Sequence, residues 1–181
     1  MEILEEPLPG VFLLKPRVFG DHRGHFYEPY NKDTFHKLGI TAEFVQDNQS
    51  LSTQKGVLRG LHFQNPPYAQ GKLVRVLQGA VIDVAVDIRK GSATYGQHFA
   101  AELNEENKLL MYVPPGYAHG FVTLAETTLF NYKCTNYYHP ESEDGIAWDD
   151  PDLGIDWGID SPILSAKDTQ NQAFKDFNSL F

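Results

Sequence analysis

The chain has 181 residues, enough to bury one substantial core, with 41% hydrophobic and 13% aromatic residues. Fifteen basic against twenty-four acidic residues give a formal charge of −9, which disfavours a nucleic-acid-binding surface but leaves room for an anionic small molecule held by local charges. A single cysteine, Cys134, excludes an internal disulfide and fits a reducing cytoplasm, and neither a signal-peptide pattern at Met1-Glu2-Ile3-Leu4-Glu5-Glu6 nor an apolar run of membrane-spanning length is found.

Strand patterns dominate. Residues 10–14 form a short apolar run ended by Pro16, and Arg17-Val18-Phe19 leads into a turn at 20–24 before a strand over 25–30. Residues 31–38 read as a short helix, capped by Asn31 or Asp33 and stopped by Gly39. Strands follow at 43–48 and around Arg59. The runs 72–77 and 80–89 meet at Gln78-Gly79, predicting a two-residue hairpin that sets Lys72 diagonal to Asp83, where the carboxylate supports the ammonium. Further strands are expected at 97–103, 109–113, 120–124 and 128–138. After Trp148 the pattern turns irregular, and Ala173, Phe174, Phe177 and Leu180 lie at the spacing of a packed C-terminal turn. Many short strands punctuated by glycine and proline indicate an antiparallel sandwich or barrel, with no repeat or linker to divide residues 1–181.

The chemistry concentrates in Arg59-Gly60-Leu61-His62-Phe63-Gln64 and Gln70-Gly71-Lys72. Histidine takes a proton near neutrality, lysine meets a developing oxyanion, and arginine offers a planar fork for phosphate. Together they fit proton abstraction beside a carbonyl on a phosphorylated substrate; the plainer reading is a strand whose polar residues face water. In a regular strand Arg59 and His62 point to opposite faces, so a shared site requires a bulge or bend at Gly60. Tyr132 and Tyr138 fall on one face of the 128–138 strand, roughly 20 Å apart if it stays straight.

Phe44-Val45-Gln46-Asp47-Asn48, Leu58-Arg59-Gly60-Leu61-His62-Phe63-Gln64, Gln70-Gly71-Lys72, Ala118-His119-Gly120-Phe121 and Asn136-Tyr137-Tyr138 with Glu141-Ser142-Glu143 occur in that order. With them the chain resembles the dTDP-4-dehydrorhamnose 3,5-epimerase family over nearly its whole length. The resemblance implies an all-β, antiparallel jelly-roll (cupin-like) barrel with a few short helices. It implies inversion at carbons 3 and 5 of dTDP-4-dehydro-6-deoxyglucose, giving dTDP-4-dehydrorhamnose for dTDP-rhamnose biosynthesis. Both carbons flank the C4 ketone, so a base on one face and an acid on the other suffice, with no metal and no organic cofactor.

By the same resemblance His62 is the base, Tyr132 the opposing acid, Asp168 the partner that orients the imidazole, and Lys72 the group that meets the C4 oxyanion. Arg23, Arg59 and Lys167 carry over as cations, and Gln46, Asn48, Glu28 and Glu143 as hydrogen-bonding groups. Phe26 and Tyr138 become stacking surfaces for thymine, and His119 a hydrogen-bond partner near the sugar or phosphate. The family is dimeric, which implies a homodimer in which Arg23, Phe26 and Glu28 reach the neighbour's pocket. Three alternatives stay open. One is inversion at carbon 3 alone, or ketone isomerisation, on a related dTDP-sugar. Another is a metal-dependent cupin, which needs a His-x-His cluster where Leu61-His62-Phe63-Gln64 supplies a single imidazole. The last is a sugar-nucleotide binding module without catalysis.

Overall fold

The computed structural model describes residues 1–181. In chain order the strands are β1 (Glu2–Leu8), β2 (Val11–Lys15), β3 (Val18–Asp21), β4 (Gly24–Tyr27), then helix α1 (Lys32–Lys37) and β5 (Gln46–Ser52). They continue as β6 (Leu58–Gln64), β7 (Lys72–Gln78), β8 (Ala80–Asp87), β9 (His98–Asn104), β10 (Leu110–Val113), β11 (Tyr117–Thr123), β12 (Thr128–Cys134) and β13 (Glu143–Gly145). A six-stranded sheet has the order β1-β2-β10-β7-β12-β5, and a five-stranded sheet the order β13-β6-β11-β8-β9. All these pairings are antiparallel. The two sheets face each other as a cupin-like jelly roll, the expected fold.

Alternation along the strands explains the layering. Val74, Val76 and Phe130 of the first sheet meet Val81, Ala85, Leu103 and Phe121 of the second in an interior cluster. The outer face of the five-stranded sheet carries Leu58, Leu61, Val84, Val86 and Val122, and the irregular C-terminal segment covers it with Ile146, Leu153, Trp157 and Phe177. On the outer face of the six-stranded sheet Leu14, Leu73, Leu110 and Tyr112 pack against Phe35 of α1 and Ile40. Each such side chain contributes about 1.5–3 kcal/mol through removal from water. The C-terminal cover matters for function, because it also delivers Asp168.

Asn31 caps α1 by accepting a hydrogen bond from the Thr34 amide, and Gly39 follows with φ +85°, as the sequence anticipates. Other expectations are corrected. Residues 2–8 form an edge strand that their acidic composition concealed, paired to β2 with two register shifts. No hairpin joins β7 to β8: β7 pairs with β10 and β12, β8 with β11 and β9. The Gln78-Gly79 corner instead carries the chain from one sheet to the other. A Cβ on Gly79 would lie 2.4 Å from the Thr127 carbonyl oxygen. Strand β12 ends at Cys134, so Tyr138 belongs to a returning loop. Phe174–Asp176 is a 3₁₀ turn and Phe177 is buried, but Leu180 is 61% exposed and is not core. No helix is long and apolar enough to cross a membrane.

Candidate active site

Strand β6 supplies two of the expected residues through one irregularity. Between the pairs Arg59↔Phe121 and His62↔His119, β6 advances three residues while β11 advances two. The extra residue is a bulge at Gly60-Leu61, and it turns both Arg59 and His62 toward the interior, where the sequence required them. Gly60 holds φ +135°, and a Cβ there would fall 2.5 Å from Gly120 Cα. Only glycine meets both demands.

Across the interior, register places Tyr132 opposite Asn48 and Val74, and Cys134 opposite Lys72 and Gln46. Gln46, Asn48, Lys72 and Tyr132 therefore share the inward face of the six-stranded sheet. His62 and Tyr132, from facing sheets, line the same two adjoining lobes of a cavity, as do Lys72 and Gln49. One lobe, of about 380 Å³, also takes in Gln46, Asn48, Gln64, Gln70, Tyr138 and Glu143. The other, of about 240 Å³, takes in Ser50, Arg59, His119, Ser165 and Asp168.

Asp168 accepts from His62 Nε2 at 2.6 Å and from the Ser165 hydroxyl at 2.6 Å, with the Gly60 amide at 3.4 Å. Burial pushes this carboxyl up, but the His62 and Ser165 hydrogen bonds outweigh it and hold Asp168 below the usual carboxylate range. A carboxylate only accepts, so Nε2 carries the hydrogen of this bond, and in a neutral ring the lone pair then lies on Nδ1. Lys72 makes no ion pair within 4 Å and lies 5.9 Å from the Tyr132 ring centroid. Burial lowers its pKa, partly offset by Cys134, Asp83 and Glu143. Burial likewise raises the Tyr132 phenol, with Cys134 and Glu143 adding and Asn48 and Arg59 opposing.

Asp83 does not pair with Lys72 as the hairpin reading expected. It lies fully buried beneath His119 and holds Nε2 of that ring with both oxygens, at 2.9 and 3.0 Å. Burial raises the Asp83 pKa, opposed by His119 and, more weakly, by Lys72, so its support of the ammonium is electrostatic and indirect. His119, 6% exposed, presents its ring to the smaller lobe.

In the larger lobe Glu143 Oε2 accepts from the Tyr138 hydroxyl at 2.7 Å and pairs with Lys167 Nζ at 2.6 Å. Burial opposes ionisation of Glu143, but Lys167 and Tyr138 outweigh it and lower its pKa. Gln46 Nε2 donates to Asn48 Oδ1 at 2.9 Å. Arg23, Phe26 and Glu28 are not brought to this cavity. Arg23 sits at the tip of the β3–β4 hairpin, its side chain 78% exposed and paired with Asp21 at 2.6 Å, and Phe26 is 65% exposed. Sequence reasoning missed Ser165, which pins Asp168 from an irregular segment, and Ser50, whose buried hydroxyl oxygen has no partner and borders the smaller lobe. No three His, Cys, Asp or Glu side chains are grouped to hold a metal ion.

Comparison with known proteins decides the family. The profile of dTDP-4-dehydrorhamnose 3,5-epimerase matches residues 5–176. The chain belongs to the dTDP-4-dehydrorhamnose 3,5-epimerase family. It is 54% identical to the enzyme of that name from Salmonella typhimurium over 170 residues, covering 93% of this chain and 92% of that one. Among solved structures, the Bacillus anthracis enzyme with TDP and pyrophosphate bound superposes with a TM-score of 0.94 at 46% identity, covering 96% of this chain and 99% of its own. The Legionella pneumophila enzyme in complex with dTDP-4-keto-L-rhamnose gives 0.93 at 47% identity, covering 98% and 94%.

Proposed function

We propose that this chain, acting as one domain, inverts carbons 3 and 5 of dTDP-4-dehydro-6-deoxyglucose through the cavity between its sheets. The observation that carries the reading is that His62 and Tyr132, on facing sheets, line one cavity together with Lys72. The C4 ketone acidifies the hydrogens on both neighbouring carbons. His62 Nδ1 takes one of them, and the Nε2–H bond to Asp168 orients the ring and stabilises the imidazolium that forms. Negative charge collects on the C4 oxygen beside the Lys72 ammonium, where one preorganised donor contributes about 3–4 kcal/mol. Tyr132, kept protonated by its raised pKa, returns a proton to the opposite face. His62 then releases its proton and the Tyr132 phenolate regains one by exchange with solvent, after which the same cycle at the second carbon completes the product.

His119, backed by Asp83, bonds the sugar or the phosphate. Arg59 and Lys167 meet the pyrophosphate, Gln46, Asn48 and Glu143 take the nucleoside hydrogen bonds, and Tyr138 stacks on the base. Lys167 then exchanges part of its pairing with Glu143 for the phosphate. The β3–β4 hairpin, a two-stranded ribbon with Val18, Phe19 and Phe26 exposed, is unstable on its own. In a homodimer it reaches the neighbouring cavity, where Arg23, Phe26 and Glu28 complete the nucleotide site. A buried, unpaired Cys134 accords with a cytoplasmic enzyme.

Incubation with dTDP-4-dehydro-6-deoxyglucose in deuterated water tests the reaction. Deuterium at both carbon 3 and carbon 5 of the product is expected; label at carbon 3 alone would replace this reading with single epimerisation.

A further inference from the structure

Gln64 closes β6 two residues beyond His62 and is 4% exposed. Its carboxamide spends its hydrogen bonds on backbone groups in two separate loops. Nε2 donates to the Tyr68 carbonyl at 2.7 Å and to the Tyr137 carbonyl at 3.2 Å, while Oε1 accepts from the His139 amide at 2.9 Å. Two of these bonds grip the residues immediately before and after Tyr138. The Tyr138 amide in turn donates to Gln46 Oε1 at 3.1 Å, and its hydroxyl to Glu143, the residue directly opposite Gln64 in the β6–β13 ladder. The loop after β6 joins the same assembly: the Tyr68 ring stacks on His139 at 3.7 Å with the planes 3° apart, and the Asn65 amide donates to the Ser142 carbonyl at 2.8 Å.

We propose that Gln64 is a positioning residue for nucleotide recognition: its buried amide fixes the loop that carries Tyr138 and Glu143 against the strand that carries His62. The inference rests on the assignment of Tyr138 to the nucleotide end of the cavity. It explains why a glutamine, with two donors and an acceptor on one short planar group, stands where an apolar residue would otherwise close the strand. Removing it leaves two carbonyls and an amide without their partner in a part-buried place, and the loop drifts from the geometry that the base requires. Affinity for the nucleotide suffers while the sugar, held by a different part of the cavity, still reacts once bound.

The test is a double-mutant cycle on the full chain. Gln64→Met, Tyr138→Ala and the combination are compared for dTDP dissociation constant, KM and kcat. Gln64→Glu serves as a second variant, keeping size and the acceptor for His139 while setting a carboxylate oxygen against the two carbonyls. Both Gln64 variants are expected to weaken dTDP about tenfold and raise KM similarly, with kcat within about threefold. The combination is expected to fall short of the sum of the two single effects, because part of the Gln64 effect passes through Tyr138, a non-additivity that general loosening of the fold would not produce. Full additivity, or loss of kcat at unchanged KM, overturns the proposal. Unchanged dTDP binding in both Gln64 variants while Tyr138→Ala weakens it overturns this proposal alone. Unchanged binding in Tyr138→Ala overturns the placement of the nucleotide, and the proposal with it.

Discussion

His62 Nε2 and Asp168 Oδ1 stand 2.6 Å apart, and the carboxylate is itself fixed by Ser165. This pair spans 106 positions and joins the barrel to the segment that wraps its outer face. Replacement Asp168→Asn keeps the volume but lets an amide donate to Nε2, which favours hydrogen on Nδ1 and removes the lone pair from the cavity. We expect kcat to fall roughly 10²–10⁴-fold with little change in KM. Steady-state kinetics beside a thermal melt checks this, and a kcat within tenfold of the parent would remove the orienting role.

Tyr132→Phe separates abstraction from inversion. Without an acid on the far face, His62 exchanges the proton it has taken with solvent and returns hydrogen to the face that lost it. Solvent deuterium should enter the recovered substrate while formation of inverted product drops about 100-fold or more. Loss of exchange and inversion in equal measure would mean that the phenol also serves abstraction.

The pH profile distinguishes Lys72 from Tyr132. Burial holds the Lys72 ammonium below its ordinary value of 10.5, so it loses its charge, and the enolate its partner, as pH rises through that lowered value. Burial raises the phenol above 10.0, so Tyr132 keeps its proton over the same range. The alkaline fall in kcat should therefore begin below 10.5 and persist in the deuterium exchange of Tyr132→Phe. An alkaline limb that vanishes with the phenol would assign it to Tyr132 instead.

Much of this site is readable in the chain because its residues make demands on one another. Arg59 and His62 serve one interior only if β6 breaks its alternation, and Gly60 is where it breaks. Asn31 and Gly39 delimit α1 by capping chemistry that depends on few distant contacts. The Gln78-Gly79 corner was not readable, since a turn between two strands of one sheet and a corner between two sheets ask the same of a glycine. The strand partners, such as Leu73 with Tyr112 and Lys133, decide between them, and they lie far along the chain. The same ambiguity hides the bond between Asp83 and His119. Ser165 escaped because a short irregular segment has no period to betray which side chains turn inward.

Mixed dimers test the sharing of sites. In a dimer with Arg23→Ala in one subunit and His62→Ala in the other, crossing hairpins leave one cavity with both lesions and the other with neither, whereas a hairpin that serves its own cavity leaves one lesion in each. If the hairpin crosses, one cavity keeps both its own His62 and the neighbour's Arg23, and about half the parental activity is expected per dimer. Activity near the sum of the two inactive homodimers would keep Arg23 out of the neighbouring site.

Asp87 lies at the other end of β8 with Arg89 at 2.6 Å, and accepts from Ser92 and Thr94 as well. Burial alone would raise its pKa, but these bonds bring it from 3.8 down to about 2. A carboxyl depressed by folding stabilises the native state fully above its unfolded value, and the contribution is lost as pH falls through the folded one. Asp87→Asn should therefore cost about 2 kcal/mol at neutral pH, and the gap to the parent should close as pH falls from 4 toward 2. Urea melts across that range measure it; a constant gap would mean that the loss comes from packing rather than from the charge.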